Sequence, residues 1–235
     1  MKLFVATCLL AVVGTLHAQD ASSMTFKSVY AAQDVPLKTD PHSSFWQKAM
    51  PIYLEADNYG KPLPRYRTEV RSRWTKDSLY LLYICPYEEL YLKPDPNTKE
   101  ETNRLWNWDV AEIFIGSDFQ NIRRYKEFEI SPQSEWVDLD IDLDLPHHED
   151  GWKWNSGFQV AARIDRNAKL WYGAMRIPFS AIDTRAPAAG NSFRANLFRS
   201  QGPPERRVQL VWQAPMTETF HTPERFGQLE LVNDR

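Results

Sequence analysis

Residues 137–145 read VDLDIDLDL, which puts Val137, Leu139, Ile141, Leu143 and Leu145 on one face of an extended strand and Asp138, Asp140, Asp142 and Asp144 on the other. This is the cleanest alternation in the chain. On either side of it lie shorter stretches rich in β-branched and aromatic residues: 78–85 (SLYLLYIC), 110–116 (VAEIFIG), 125–130, 158–164, 170–178, 193–199, 208–212 and 227–232. Turn signals at Lys76-Asp77, Asp165-Arg166-Asn167, Ala189-Gly190-Asn191 and Gly202-Pro203-Pro204 separate many of them. Short helical turns fit residues 43–48 and 179–182, but no strand alternates with a long amphipathic helix. A parallel α/β sheet is therefore excluded, and the fold class is all-β, an antiparallel β-sandwich of two sheets with jelly-roll or immunoglobulin-like character.

The chain has 235 residues, 43% hydrophobic and 13% aromatic, enough to bury a proper core as one domain. Its formal net charge is −3, so it lacks the basic excess that a nucleic-acid partner requires. Residues 1–18 read as a secretory signal: Lys2 forms the charged start, residues 3–16 an apolar run, and Ala18 a small residue at a cleavage point. Cleavage there removes Cys8 and leaves Cys85 alone, without an internal disulfide. No later stretch is apolar enough for a membrane span. The expected organisation is a signal peptide over 1–18, an irregular segment over 19–48 packing on the domain, and the sandwich over 49–235. The destination is the periplasm or the medium.

The carboxylates of the acidic stripe stand about 6–7 Å apart along one strand, too far for a pair to chelate an ion unaided. The stripe reads first as a solvated face that discourages edge pairing. The alternative is a cation site, with Asp142 and Asp144 as calcium candidates. His147 and His148 are adjacent, point apart on an extended chain, and read as surface groups.

The chain contains no nucleophile elbow, phosphate loop, dinucleotide fingerprint or zinc spacing. What stands out is tryptophan beside polar residues in loops: Trp106-Asn107-Trp108-Asp109 before one strand, and Gly151-Trp152-Lys153-Trp154-Asn155 between two others. An indole face suits the C–H face of a pyranose, and acidic, amide and guanidinium groups at its rim can bond adjacent hydroxyls. Trp74, next to a turn, reads as core.

The ordered segments RSRWTKDSLYLLYI, LWNWDVAEIFIGSD, YKEFEISPQSEW, MRIPFSAI, FRANLFR and FHTPERFGQLEL together resemble successive motifs of carbohydrate-binding module family 9 and its family 9-like relatives, over residues 35–232. The resemblance implies a DOMON-related β-sandwich that holds a sugar between two tryptophans, with charged and amide side chains around it and structural calcium nearby. Carried over by position, Trp106 matches the first stacking tryptophan, Glu112 the acidic residue that reaches hydroxyls, and Asn196 the asparagine of a late strand. Arg199 stands where the second tryptophan is found, so Trp108, Trp154 or Trp212 is left to supply the other face. Alternation places Glu112 and Phe114 on one face and Ile113 on the other, and Glu129 projects similarly from its own strand.

The leading expectation is a non-catalytic binding protein for a mono- or oligosaccharide or a polysaccharide chain end, using Trp106, Glu112, Asn196, Arg199, Trp108, Glu129 and Trp154, in support of carbohydrate catabolism. A glycan-degrading hydrolase or its accessory subunit is the alternative and would need a close carboxylate pair in a cleft. A haem-binding domain is the third, with Met175, Met216 and His221 as possible axial ligands. In FHTPERFG, His221 reads first as a structural group, with Arg199 and Arg225 as a conceivable grip on a sugar carboxylate.

Overall fold

The computed structural model describes residues 24–145 and 152–234; the expected signal peptide over 1–18 and the His147-His148 pair lie outside them. Twelve strands form one continuous ladder: β1 (Thr25–Tyr30), β2 (Ile52–Leu54), β3 (Thr68–Trp74), β4 (Ser78–Pro86), β5 (Val110–Gly116), β6 (Arg124–Ile130), β7 (Trp136–Asp142), β8 (Gln159–Asp165), β9 (Leu170–Pro178), β10 (Ser192–Gln201), β11 (Val208–Val211) and β12 (Gly227–Val232). Their order is β7-β6-β5-β10-β12-β1-β3-β4-β9-β8, with β11 on β10 and β2 on β3. The path folds back on itself so that Ile113, Ile115, Phe128, Ile130 and Leu197 of one half meet Leu79, Leu81, Tyr83, Trp171 and Met175 of the other in the main core. The β-sandwich follows from that closure. Trp74 is buried, as its position beside a turn suggests.

One departure from the sequence reading concerns residues 19–48. Residues 25–30 form a central strand, β1, running parallel to both β12 and β3 and joining the two halves. Its apolar pattern is masked by Ser28, which is fully buried and shares a hydrogen bond of 2.8 Å with Ser72. Residues 35–49 do pack on the domain: Trp46, in the single helical turn α1 (Ser44–Gln47), closes a cluster with Tyr80, Leu82, Tyr172 and Ala174 on the outer face of β4 and β9. β3 was hidden for another reason. Its outward charges are consumed beneath that segment, where Arg71 donates to Pro41 O at 2.8 Å and Arg73 to Phe45 O at 3.0 Å.

The acidic stripe is shorter and less solvated than its alternation suggests. The strand ends at Asp142, and the chain turns through residues 143–145. Asp138 is buried and accepts from Ser156 N at 2.7 Å, while Asp140 pairs with Lys126 at 2.5 Å. Burial pushes the Glu101 carboxyl, set against Asp138, up to about 7. A carboxyl raised on folding favours the folded state at low pH, and that contribution is lost as pH rises from the ordinary glutamate value through about 7. Glu101→Gln should therefore flatten the fall in Tm across this window and melt higher than the parent at pH 8, as read by thermal denaturation at stepped pH.

The two halves approach closely at Gly173 of β9, where a Cβ would stand 2.9 Å from the ring of Trp171 on the same strand and 3.1 Å from Ile130 of β6. Both neighbours are wholly buried and cannot step aside. Gly173→Val should cost about 1–3 kcal/mol in denaturant unfolding, by forcing the sheets apart.

Candidate functional site

The outer face of β7-β6-β5-β10 is also dry. Phe114, Tyr125, Val137, Leu139, Ile141 and Phe198 form a second apolar cluster there, closed by Leu105, Trp152 and Phe226 from loops. Within this cover lies a cleft of about 330 Å³, with Trp106, Trp152, Phe114 and Phe220 among its walls, Glu112 and Glu127 inside, and Ser200, Arg207, Gln209, Glu218, Thr219 and His221 supplying polar groups. The register explains the convergence. Glu112 of β5 lies opposite Phe198 of β10 and Glu129 of β6, while Phe114 lies opposite Glu127. All of these point to the same side of the pleat.

Loops hold the walls in place. The Trp106 turn (Leu105–Asn107) is clamped by the Arg207 guanidinium, which donates to Trp106 O at 2.5 Å, Trp108 O at 2.6 Å and Gly202 O at 3.0 Å. Asp109 finishes the clamp, accepting from Tyr91 N at 3.1 Å and Gly202 N at 2.7 Å. On the opposite side of the chain, His221 stacks on Phe114 at 5.1 Å with its Nδ1 2.7 Å from Tyr125 Oη, and Phe220 stacks on Phe198 at 4.2 Å.

Glu112, Glu127 and Glu129 are almost wholly inaccessible, at 2%, 3% and 0% exposure. Each offers an oxygen within 4.8 Å of the other two. Burial first, and then the neighbouring carboxylates, push Glu112 and Glu129 well above the ordinary range; burial lifts Glu127 to about 7. Among the described residues, Arg207 is the cation that counters Glu112 and Glu129 from the cleft wall.

Of the seven residues expected in the site, Trp106 and Glu112 line the cleft, and Glu129 sits beside Glu112 on the neighbouring strand. The other four are elsewhere. Asn196 is fully buried, its amide spent on the main chain of Gln213 at 2.8 Å and 3.0 Å. Arg199 points to the opposite face of β10, into the main core, where it donates to Thr68 Oγ1 at 2.8 Å, Pro86 O at 2.6 Å and the Gln201 side chain. An Arg199–Arg225 grip is thereby excluded, since Arg225 is exposed on the loop before β12. Trp108 is held outside the cleft with Lys93 over its ring, and Trp154 packs near Phe128 on the core side with Lys126 over its ring. Trp152, grouped with the loop tryptophans, does line the cleft. Glu127, Arg207 and Phe220 were missed; alternation in KEFEI ties Glu127 to the face of Glu129, whereas the other two depend on contacts remote in sequence.

Among the described residues the partners of the calcium candidates Asp142 and Asp144 are arginines and the main chain. Asp142 is 2.8 Å from Arg124 and accepts from Asp144 N at 3.0 Å; Asp144 is 2.6 Å from Arg123. Protein cations already answer both charges. Met175 is in the main core, Met216 is exposed and His221 stands in the cleft, so the possible haem ligands do not converge. Cys85 is buried as a free thiol, pushed up to about 12 by burial.

A β-sandwich with an aromatic cleft on one sheet face is the architecture of a ligand-binding module, and the comparisons agree on which kind. The family described as carbohydrate family 9 binding domain-like matches residues 42–234, and the chain belongs to it. A family 9 carbohydrate-binding module from Caldicellulosiruptor kristjanssonii, solved with cellotriose, superposes with a TM-score of 0.63 at 13% identity, covering 90% of this chain and 95% of that one. A structure of a family 9 module from the same organism with glucose gives 0.60 at 14% identity, covering 90% and 97%. At such identities the likeness is one of fold. A protein of Arthroderma benhamiae (strain ATCC MYA-4681 / CBS 112371) called an extracellular protein is 24% identical over 184 residues, 73% of this chain and 81% of that one.

Arg199→Ala tests the corrected placement. It should strand the buried acceptors at Gln201 and Pro86, cost about 1–3 kcal/mol or more in urea unfolding, and leave ligand affinity unchanged under conditions where the variant is folded.

Proposed function

We propose that the chain is an exported, non-catalytic carbohydrate-binding protein that receives a sugar ring in the cleft between Trp106, Trp152 and Phe220. The observation that carries this reading is the composition of the cleft. Aromatic surfaces for the C–H face of a pyranose stand beside Ser200, Gln209 and Thr219, which match hydroxyls, in about 330 Å³ on the domain of a carbohydrate-binding family. The cellotriose and glucose bound by the Caldicellulosiruptor modules make β-glucosides the first ligands to try. Export is supported by the apolar leader over residues 3–16 and by the extracellular description of the Arthroderma relative. Among the described residues no helix is long and apolar enough to cross a membrane. A role supporting carbohydrate catabolism accords with such a ligand.

The close carboxylates give the hydrolase reading some footing, but their placement favours binding. A glycosidase sets its two carboxyl groups on either side of the scissile bond. Here the three glutamates stand on adjacent strands within 4.8 Å of one another, on one wall. Calorimetry of the full chain against glucose, cellobiose, cellotriose and a wider saccharide panel should show binding in the millimolar range or better, weakened about tenfold or more in Trp106→Ala. No binding across the panel, or unchanged binding in Trp106→Ala, would reject the reading.

A further inference from the structure

The floor of the cleft sets a charge problem. Glu112 and Glu129 lie directly opposite each other across β5 and β6, an arrangement that repels even on a wet surface. Here the surroundings are Val137, Leu139, Phe114 and Phe198. Glu112 Oε1 is buried without a hydrogen-bond partner, and the buried oxygens of Glu127 and Glu129 have only each other, a contact that needs a proton between them. Three carboxylates in apolar surroundings must take up protons or a cation. Arg207 does not resolve the problem, because its donors are directed at the carbonyls of the Trp106 turn and Gly202.

We propose that Glu112, Glu127 and Glu129 bind one divalent, oxygen-seeking cation, calcium by its chemistry, at the floor of the cleft. An ion 2.3–2.6 Å from each of its ligands can touch three oxygens only if they stand within about 5 Å of each other. The three glutamates meet that limit at 4.8 Å. The ligands are carboxylate oxygen throughout, with no imidazole or thiolate, which selects calcium or magnesium over zinc or copper. Magnesium keeps several waters in a near-ideal octahedron, for which a dry pair of strands gives little room; calcium accepts bidentate carboxylates and irregular geometry. Glu129 is wholly inaccessible and is not among the residues that line the cleft, so a bare ion reaches all three glutamates where an ammonium carried on a sugar would reach Glu112 and Glu127. The open side of the ion would face the cleft, where, if the saccharide reading is correct, sugar hydroxyls complete its shell.

The test uses the full chain stripped with EDTA and titrated with calcium chloride without sugar, followed by calorimetry and by thermal unfolding. One calcium per chain and a rise in Tm are expected, with affinity falling about tenfold or more in Glu129→Gln and in Glu127→Gln. Glu129→Gln relieves like-charge repulsion, so it should remain folded without calcium, and its Tm should no longer respond to the ion. Neither heat nor a shift in Tm with millimolar calcium or magnesium would overturn the proposal and leave protons as the neutralising species. Calcium binding unaffected by both variants, or lost instead in Asp142→Asn, would place the ion elsewhere and overturn it equally. Calcium-independent binding of glucosamine that is lost in Glu112→Gln would assign the carboxylates to an ammonium group and overturn the proposal. The calcium titration contains no sugar, so its outcome is separate from that of the saccharide panel.

Discussion

Strand β5 is buried at every one of its seven positions, and the rest of the molecule is arranged around that fact. A two-sheet sandwich normally leaves the outer face of each sheet wet, where polar side chains cost nothing. Here Ile113 and Ile115 enter the main core while Val110 and Phe114 enter a second one on the other side of the same strand. A carboxylate at Glu112 therefore has no bulk water to turn to. Its protonation, its neighbours and any ligand are decided by what the surrounding loops supply.

Those loops come from distant parts of the chain and meet over Phe114. Tyr125, Phe198, His221 and Phe226 all place rings within 4.8–6.2 Å of it. Arg194 reaches from β10 to the carbonyl of Pro223, pinning the FHTPERFG loop from beneath. That loop thus acts as the lid of a small core and as a wall of the cleft at once. The same economy applies to Asp109, which ends the WNWD segment, starts the strand that carries Glu112, and binds the Gly202 loop.

Much of this was available from alternation, and some of it was available but unused. Period-two patterns located most strands and put Glu112 and Phe114 on one face against Ile113, as observed. The same rule separates Asn196 from Arg199, since positions three apart on a regular strand face opposite ways. The substitution of arginine for the expected tryptophan is thus a core event, in which a guanidinium is satisfied by Thr68, Pro86 and Gln201 rather than by a ligand. β1 and β3 escaped detection because their polar residues are paired by partners remote in sequence, as Ser28 is by Ser72. Trp152 and Trp154 look alike in sequence. Which one enters the cleft is decided by the path of the chain beside β7, where Trp152 Nε1 donates to Asp142 O at 2.9 Å.

Arg207 shows why charge in this site cannot be counted by listing residues. It is the one guanidinium lining a cleft that also holds two of the three buried glutamates, and simple pairing would make it their counter-ion. Its hydrogen bonds instead hold Trp106 and Trp108 by their carbonyls, about one hundred residues back along the chain. Such a bond to a neutral carbonyl leaves the positive charge in place while spending the directional donors, so Arg207 favours the charged form of Glu112 and Glu129 without satisfying their oxygens. Against that one positive charge burial is the larger influence, and Glu112 and Glu129 stay well above the ordinary carboxyl range. The arginine therefore builds the aromatic wall, and the buried glutamate oxygens of the floor receive no donor from it.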